Sequence, residues 1–294
     1  MSSTSDRRSV TNDDSPLADT AVHYLSSAHV GEEFKIFAGQ CGTNDAQPES
    51  VLYLTDANGF FGGAVDLVRS MQLSRHLPPM LVVGIGYRAG GLGDTIVRRT
   101  ADLTPTSDLR YARLFPAESR MGGADALLSF LATELQPWVD ARYGTAGVDT
   151  TYFGHSLGGL FGVHALLQAP ETFQRYVIGS PSLWWHDRVI FAEESAYAAA
   201  HADLAATVFF GIGALETQDG REREATNMDT ALREMLAAHE IDMVDDMSRF
   251  VDRLRSRAYP GLELTSEVFA DEFHVTVPLL NLGRGLRRVY DAPR

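Results

Sequence analysis

The chain alternates between short apolar runs and longer amphipathic stretches. Seven runs are rich in β-branched and aromatic residues, and several are almost continuously apolar. Such runs are typical of strands that are buried on both faces of a mostly parallel sheet. We therefore predict strands at Glu33 to Ala38, Val51 to Asp56, Met80 to Tyr87, Thr150 to Phe153, Tyr176 to Gly179, Thr207 to Ile212 and Leu262 to Ala270.

Helical spacing fills the segments between these strands. The clearest case is Ala124 to Arg142, where apolar side chains recur every three or four residues. Strands that alternate with helices predict an α/β fold with a mostly parallel central sheet and helices on both faces. Two connections, 180–206 and 217–261, are longer than a crossover helix needs, and we expect helices there that could wall a pocket. The second has helical spacing from Asn227 to Leu236, a break near His239, and an amphipathic piece from Met243 to Leu254.

Composition and charge limit the classes of protein to which this chain can belong. The 294 residues are 45% hydrophobic, which suits one domain over 17–294 behind a polar leader, 1–16, that we expect to be disordered. The net charge of −14 is spread along the chain and argues against a nucleic acid or an anionic membrane as partner. A single cysteine, Cys41, excludes an internal disulfide and a cysteine-based metal site. We find neither a signal-peptide core nor a spanning run, and expect a cytoplasmic protein.

One pentapeptide carries candidate chemistry. Gly154-His155-Ser156-Leu157-Gly158 lies between a strand-like run and the helix-like run from Leu157 to Gln168. This is the layout of a nucleophile elbow, in which small residues two positions either side of the serine let the neighbouring backbone pass closely. The bare pattern also occurs in ordinary glycine turns. Its strand and helix context favours Ser156 as a catalytic nucleophile.

A nucleophilic serine needs a histidine base and, behind it, an acid. In elbow-bearing folds the acid and then the histidine follow the serine along the chain. His274 fits best among the nine histidines, since it lies in the loop after the last predicted strand. Three other histidines stay open because they lie in the long connections, namely His186, His201 and His239.

The acid is less certain than the base. Glu216 follows the strand that ends near Ile212, and site residues gather at the carboxyl ends of strands in open α/β sheets. Asp219 is the rival, and either carboxylate could simply cap the helix that starts near Gly220. A serine–histidine pair without a working acid also remains open.

Two backbone amides are candidates for stabilising the oxyanion of an acyl-transfer intermediate. One is the N–H of Leu157, directly after the nucleophile. The other is the N–H of Asn58 in the turn Asp56-Ala57-Asn58-Gly59, although Asn-Gly is also a common turn pair.

The segment from Gly84 to Ala89 spells a dinucleotide-binding fingerprint. The glycines at 90, 91 and 93 disfavour the immediate helix that such a site needs, and no acid-tipped second strand follows at the expected distance. We therefore predict no nucleotide cofactor. Histidine-rich metal spacing is also missing from the sequence, so we predict no metal.

Five segments form a combination that is familiar from one protein family: Val51 to Asp56, Val83 to Tyr87, Arg99 to Pro105, the elbow with Gly159-Leu160-Phe161, and Ser180-Pro181-Ser182-Leu183-Trp184-Trp185. Together they resemble a known esterase family, which includes esterase D, ferric-enterobactin esterases and the mycolyltransferases of antigen 85. The similarity is to its siderophore-esterase-like branch in particular, and runs from about Val51 to Pro278. The resemblance implies an α/β-hydrolase fold with Ser156 as nucleophile, His274 as base and Glu216 as acid. Relatives often have Asp-Gly-Asn where this chain has Asp56-Ala57-Asn58, which adds a methyl group beside the second oxyanion donor.

The expected function is hydrolysis of a small-molecule carboxylic ester through an acyl-enzyme. An acyltransferase of the same fold and a non-catalytic binding scaffold are the alternatives. Arg98, Arg99, Trp184 and Trp185 could line one side of the mouth and suit flat, anionic or catechol-like acyl groups. Alternatively the tryptophans belong to the core and one arginine pairs with Asp102.

Overall fold

The structure, a computed structural model, describes residues 17–42, 46–88, 92–108, 120–226, 233 and 241–291. The leader expected at 1–16 lies outside the described residues. So do the helical spacing from Asn227 to Leu236, except Arg233, and the break expected near His239.

The described strands form one eight-stranded sheet. In chain order they are β1 (Thr20–Ser26), β2 (Glu33–Cys41), β3 (Ser50–Leu54), β4 (Met80–Tyr87), β5 (Asp149–His155), β6 (Arg175–Gly179), β7 (Ala206–Gly213) and β8 (Leu262–Phe269). Their order across the sheet is β1-β2-β4-β3-β5-β6-β7-β8. Strand β2 runs antiparallel to both β1 and β4, and every other pair is parallel. The mostly parallel sheet that the apolar runs predict is thus confirmed.

All seven predicted strands are present, with ends that differ by up to three residues. The eighth strand, β1, was not predicted. It lies at the edge of the sheet and pairs only with β2, and Val22 and Tyr24 are about half exposed. A strand with so little burial lacks the apolar run on which the prediction relied.

Helices cover both faces of the sheet. They are α1 (Ala57–Leu73), α2 (Leu92–Leu103), α3 (Ala124–Phe130), α4 (Gln136–Tyr143), α5 (Leu157–Gln168), α6 (Trp185–Ala200), α7 (Gln218–Ala225), α8 (Met243–Arg257) and α9 (Pro278–Asp291). A π-helical turn, Leu131–Leu135, joins α3 to α4, so the predicted helix from Ala124 to Arg142 is present with this irregularity at its centre. Within the described residues, no helix is both long and apolar enough to cross a membrane.

The core has two halves, one on each face of the sheet. Val177 and Phe209 pack with α1 and α9, whereas their chain neighbours Ile178 and Phe210 pack with α5 and α8. Consecutive side chains of a strand point to opposite faces, so strands that are covered on both faces must be apolar at every position.

In their described parts, the two long connections contain helices that are joined by ion pairs with buried carboxylates. Glu194 of α6 is fully buried and accepts two hydrogen bonds from Arg257 of α8, at 2.7 and 3.0 Å. Arg188 of α6 binds Asp246 of α8, with 2.6 Å between Nε and Oδ1. These pairs hold α6 and α8 together beside the strands that precede the site.

Candidate active site

Ser156 lies between β5 and α5 in a backbone conformation that side chains rarely adopt, with φ of 62° and ψ of −120°. The glycines two positions either side are sterically required. A Cβ on Gly154 would lie 2.2 Å from the carbonyl oxygen of Gly158, and a Cβ on Gly158 would lie 2.4 Å from Thr55 Oγ1. The geometry is that of a nucleophile elbow.

Backbone hydrogen bonds hold the elbow in this conformation. The N–H of Ser156 donates to Gly179 O at 3.0 Å, and Ser156 O accepts from the amides of Leu160 at 3.0 Å and Ser182 at 3.1 Å. A residue in such a region of φ/ψ space costs about 1–3 kcal/mol, and persists only where the surroundings enforce it.

Glu216 and His274 meet at the carboxyl edge of the sheet. His274 Nδ1 lies 2.6 Å from Glu216 Oε2. The loops that carry them are themselves joined, because Leu215 N donates to Glu272 O at 3.1 Å and Ala214 N donates to Phe269 O at 2.8 Å. Glu216 and His274, the candidate acid and base, therefore follow the ends of two neighbouring strands, β7 and β8.

The carboxylate of Glu216 is fully buried and fully bonded. Its Oε1 accepts hydrogen bonds from Ser180 Oγ at 2.6 Å and from Gly213 N at 2.8 Å. Burial raises the pKa of this carboxyl, but the charge of His274 and the hydrogen bonds from His274, Ser180 and Gly213 outweigh burial and hold the pKa below its usual value. The buried acid is thus kept ionised.

The rival acid points elsewhere. Asp219 is exposed in the first turn of α7, where the side chain of Thr217 caps the helix by accepting from Gly220 N at 3.2 Å. Two rival histidines are also engaged, since His186 Nδ1 contacts Thr106 Oγ1 at 2.8 Å and His201 Nδ1 contacts Tyr197 O at 3.1 Å. The third, His239, is outside the described residues.

His155 packs against His274. Its ring is buried and lies 4.6 Å from the His274 ring at an interplanar angle of 38°. Burial, followed by the charge of His274, lowers the pKa of His155 far below its ordinary value. His155 is therefore neutral and adds no second positive charge beside the base.

The candidate nucleophile and the candidate base are not hydrogen-bonded to each other in this structure. In the described part of the chain, Ser156 Oγ contacts Ser182 Oγ at 3.4 Å, and no hydrogen bond joins it to His274. Catalytic hydrogen bonds are often long in structures without substrate and tighten in the Michaelis complex.

Both candidate oxyanion donors lie in first turns of helices, where backbone amides have no intrahelical acceptor. Leu157 begins α5, and Asn58 is the second residue of α1. The Asn58 side chain is locked on the end of β4, because Oδ1 accepts from Tyr87 N at 2.7 Å and Nδ2 donates to Tyr87 O at 3.0 Å.

The glycines of the fingerprint-like segment have a structural reason. A Cβ on Gly84 would lie 2.6 Å from Ala57 Cβ, and a Cβ on Gly86 would lie 2.4 Å from Asn58 Oδ1. These glycines let the start of α1 pack tightly against β4. The extra methyl of Ala57 fits because Gly84 makes room for it.

The two arginines of α2 are held by carboxylates. Arg99 binds Asp56 through two hydrogen bonds, at 2.7 and 2.8 Å. Arg98 NH1 lies 2.9 Å from Glu32, and its NH2 lies 3.6 Å from Asp102. Burial raises the pKa of Asp102 to about 6 in spite of Arg98. Arg99 is thus next to the oxyanion loop, and Arg98 faces the turn before β2.

Both tryptophans are buried in the core. Trp185 is fully buried, and its Nε1 donates to Thr106 O at 3.0 Å. The expectation that Trp185 lines the mouth does not fit this burial, because its ring supports the loop at Thr106. Trp184 is 6% exposed and has its ring 6.1 Å from that of Trp185.

Sequence reasoning gave no site role to three polar residues around the triad candidates: Ser180, Ser182 and His155, whose ring is tilted against that of His274. The signal for the two serines was present, since both belong to the Ser-Pro-Ser-Leu-Trp-Trp segment after β6. Their contacts, with Ser156, Glu216 and Asn281, join positions 26 to 101 residues apart, which no local pattern reveals.

The sheet order, the elbow and the acid–base pair at one edge define an α/β hydrolase. A family profile described as "Putative esterase" matches residues 42–247, more than half of the chain, so the protein belongs to this esterase family.

Individual relatives agree with this family. The chain is 26% identical over 280 residues to the ferri-bacillibactin esterase BesA of Bacillus subtilis, across 92% of this chain and 89% of that protein. It is 29% identical over 257 residues to a siderophore enterobactin esterase of Emericella nidulans, across 83% and 84%. The solved siderophore hydrolase EstB from Aspergillus nidulans matches with a TM-score of 0.77 at 28% identity, across 98% and 99%. The chain is an ester hydrolase.

Proposed function

We propose that this protein is a serine carboxylic-ester hydrolase that uses Ser156 as nucleophile, His274 as general base and Glu216 as acid. One observation carries the proposal: the buried Glu216–His274 pair, with 2.6 Å between Oε2 and Nδ1, lies beside the strained elbow at Ser156. A carboxylate on Nδ1 leaves Nε2 as the nitrogen that accepts the serine proton.

The chemistry proceeds in two balanced steps. His274 takes the proton of Ser156 Oγ as the serine attacks the ester carbonyl, and the oxyanion that forms is bound by the amides of Leu157 and Asn58. His274 then gives its proton to the leaving alcohol, and an acyl-enzyme remains. Water attacks the acyl-enzyme by the same route and releases the acid. Glu216 stabilises the imidazolium in both steps.

The substrate class we propose is a siderophore-like or other aryl ester. Relatives of this chain are named for ferri-bacillibactin and enterobactin. Arg98 and Arg120 line a cavity of about 360 Å³ whose wall also includes Glu32 and Asp102 but none of Ser156, Glu216 and His274. Arg99 binds Asp56 directly before the turn that carries Asn58. Guanidinium groups and aromatic faces suit catecholate or other anionic aryl groups.

The test compares esters and acceptors. We expect a catecholate lactone to be hydrolysed with a higher kcat/KM than p-nitrophenyl acetate, and a serine-directed phosphonate to abolish both activities. Arg98→Ala or Trp184→Ala should lower kcat/KM for the lactone more than for the acetate, and equal losses would refute their role in selection. Product that partitions to an added alcohol instead of water would favour an acyltransferase. Resistance to the phosphonate would refute the serine mechanism.

We also propose a cytoplasmic location, which rests on one property of the chain. Its single cysteine, Cys41, is a free buried thiol, and burial raises its pKa to about 11. A chain with a single cysteine forms no internal disulfide, so an oxidising compartment would not stabilise it. Fractionation of the source cells with activity staining would test the location, and activity in the extracellular fraction would refute it.

A further inference from the structure

Ser180 occupies an unusual position directly after β6. Its φ is 39°, in the left-handed region, and its N–H donates to Gly211 O of β7 at 2.7 Å. The residue is fully buried, and its hydroxyl donates to Glu216 Oε1 at 2.6 Å. A strained, buried serine whose hydroxyl meets the candidate acid is a costly arrangement, which suggests a role beyond the turn itself.

A second buried residue aims the Ser180 hydroxyl. Asn281 of α9 is fully buried, and its Nδ2 donates to Ser180 Oγ at 3.4 Å. Its side chain fills the space over two glycines, since a Cβ on Gly211 would lie 2.1 Å from Asn281 Oδ1 and a Cβ on Gly179 would lie 3.0 Å from Asn281 Nδ2. With its oxygen occupied by this donor, Ser180 presents its proton to Glu216.

We propose that Ser180, oriented by Asn281, is a positioning residue that holds the carboxylate of Glu216 at the angle at which its other oxygen meets His274. The inference rests on the proposed acid–base pair. Glu216 Oε1 is fixed by Ser180 and Gly213, so only Oε2 faces the imidazole. The first serine of the Ser-Pro-Ser-Leu-Trp-Trp segment thus acts on the reaction through Glu216, without touching the substrate.

Ser180→Gly is the sharpest test, because glycine accepts a φ of 39° without strain while the hydroxyl is lost. We expect kcat to fall about 10- to 100-fold, as for loss of a hydrogen bond to a charged group, with KM nearly unchanged. A group that only supports the turn would leave kcat unchanged when glycine replaces it.

A double-mutant cycle separates positioning from general damage. If Ser180 acts through the carboxylate, Ser180→Gly in a Glu216→Gln background should cost almost nothing further. Ser50→Ala is the matched control. Ser50 is also fully buried, and its hydroxyl donates to Asp149 O at 2.9 Å at the amino-terminal ends of β3 and β5. That variant should lose thermal stability and keep kcat.

The outcomes distinguish two failures. Unchanged kcat in Ser180→Gly, or an equal loss in the Glu216→Gln background, would overturn the positioning role while leaving the acid–base pair intact. Full activity of Glu216→Gln would overturn the acid assignment, and the Ser180 proposal with it.

Discussion

His274 and His164 both form short contacts with carboxylates, and only His274 is placed as a candidate base. His274 has a carboxylate on Nδ1 alone, at 2.6 Å from Glu216. His164, two turns into α5, has one on each ring nitrogen, with Glu193 at 2.8 Å from Nδ1 and Asp125 at 2.8 Å from Nε2. Burial lowers the pKa of His164, but the two carboxylates raise it overall above its ordinary value.

The two histidines differ in whether one ring nitrogen has no carboxylate beside it. A base must accept and release a proton at an atom that faces the substrate, and His274 keeps Nε2 for that purpose. The two carboxylates favour a proton on both nitrogens of His164, because each nitrogen faces one of them, and His164 in this form is a cationic clamp between α3, α5 and α6. The same residue type beside the same charge is therefore placed as a candidate base in one position and as a link between helices in the other.

The largest expected effect comes from the reactive pair. Ser156→Ala and His274→Ala should each lower kcat by about 10⁴-fold or more, and the double variant should be hardly worse, because the two residues act as one unit. The measurement is steady-state ester hydrolysis. His164→Phe is the control, with unchanged kcat per folded molecule. A tenth of normal activity in His274→Ala would show that another histidine is the base.

The acid should come next. Glu216→Gln should keep the fold but lower kcat by about 10²- to 10⁴-fold, because an amide can hold the imidazole in the unproductive tautomer. Asp219→Asn, at an exposed position three residues on, should leave kcat within about twofold, as expected for an exposed carboxylate. Circular dichroism would check that both variants fold. Two mild results would indicate a serine–histidine dyad.

Much of the fold follows from the apolar pattern, because β3 to β7 are largely buried on both faces and leave nearly continuous apolar runs. Strand β1 was not predicted, because its pairing with β2 defines it as a strand and its side chains are little buried. The kink in α6 was equally invisible: His186, Asp187 and Arg188 all have positive φ values, and none of them is a glycine. Backbone geometry of this kind depends on tertiary contacts.

For the site, the order of residues along the chain was enough to predict a serine, an acid and a histidine. The choice between rival candidates needed the geometry of the folded chain. Glu216 and Asp219 both follow β7, and the choice between them depends on burial and on a 2.6 Å contact with a residue 58 positions away. Ser180 has no chemical signature of its own. Its role depends on which oxygen of a distant carboxylate it meets.

The clamp should reveal itself in stability. His164→Phe should lower the free energy of unfolding by about 2 kcal/mol, since it removes the 2.8 Å contact to the partly buried carboxylate of Glu193 and leaves only the 3.3 Å hydrogen bond from Gln168. The folded pKa of His164 is raised, so its contribution is fully present below the unfolded pKa of about 6.5 and is lost as pH rises through the folded value. Urea unfolding from pH 6 to pH 9 should show the difference between wild type and variant shrinking. A constant difference would mean that His164 stabilises by packing alone.

The smallest effect should separate the two carboxylates of the clamp. The side chain of Asp125 is 85% exposed, and that of Glu193 is 17% exposed. Exposed ion pairs contribute about 0–1 kcal/mol because water and salt screen them. We therefore expect Asp125→Asn to change the free energy of unfolding by under about 0.5 kcal/mol, and Glu193→Gln by about 1–2 kcal/mol. Neither change should alter kcat. If Asp125→Asn proved the more damaging, the proton on Nε2 of His164 would be held mainly from the solvent side, and the buried contact to Glu193 would be the weaker half of the clamp.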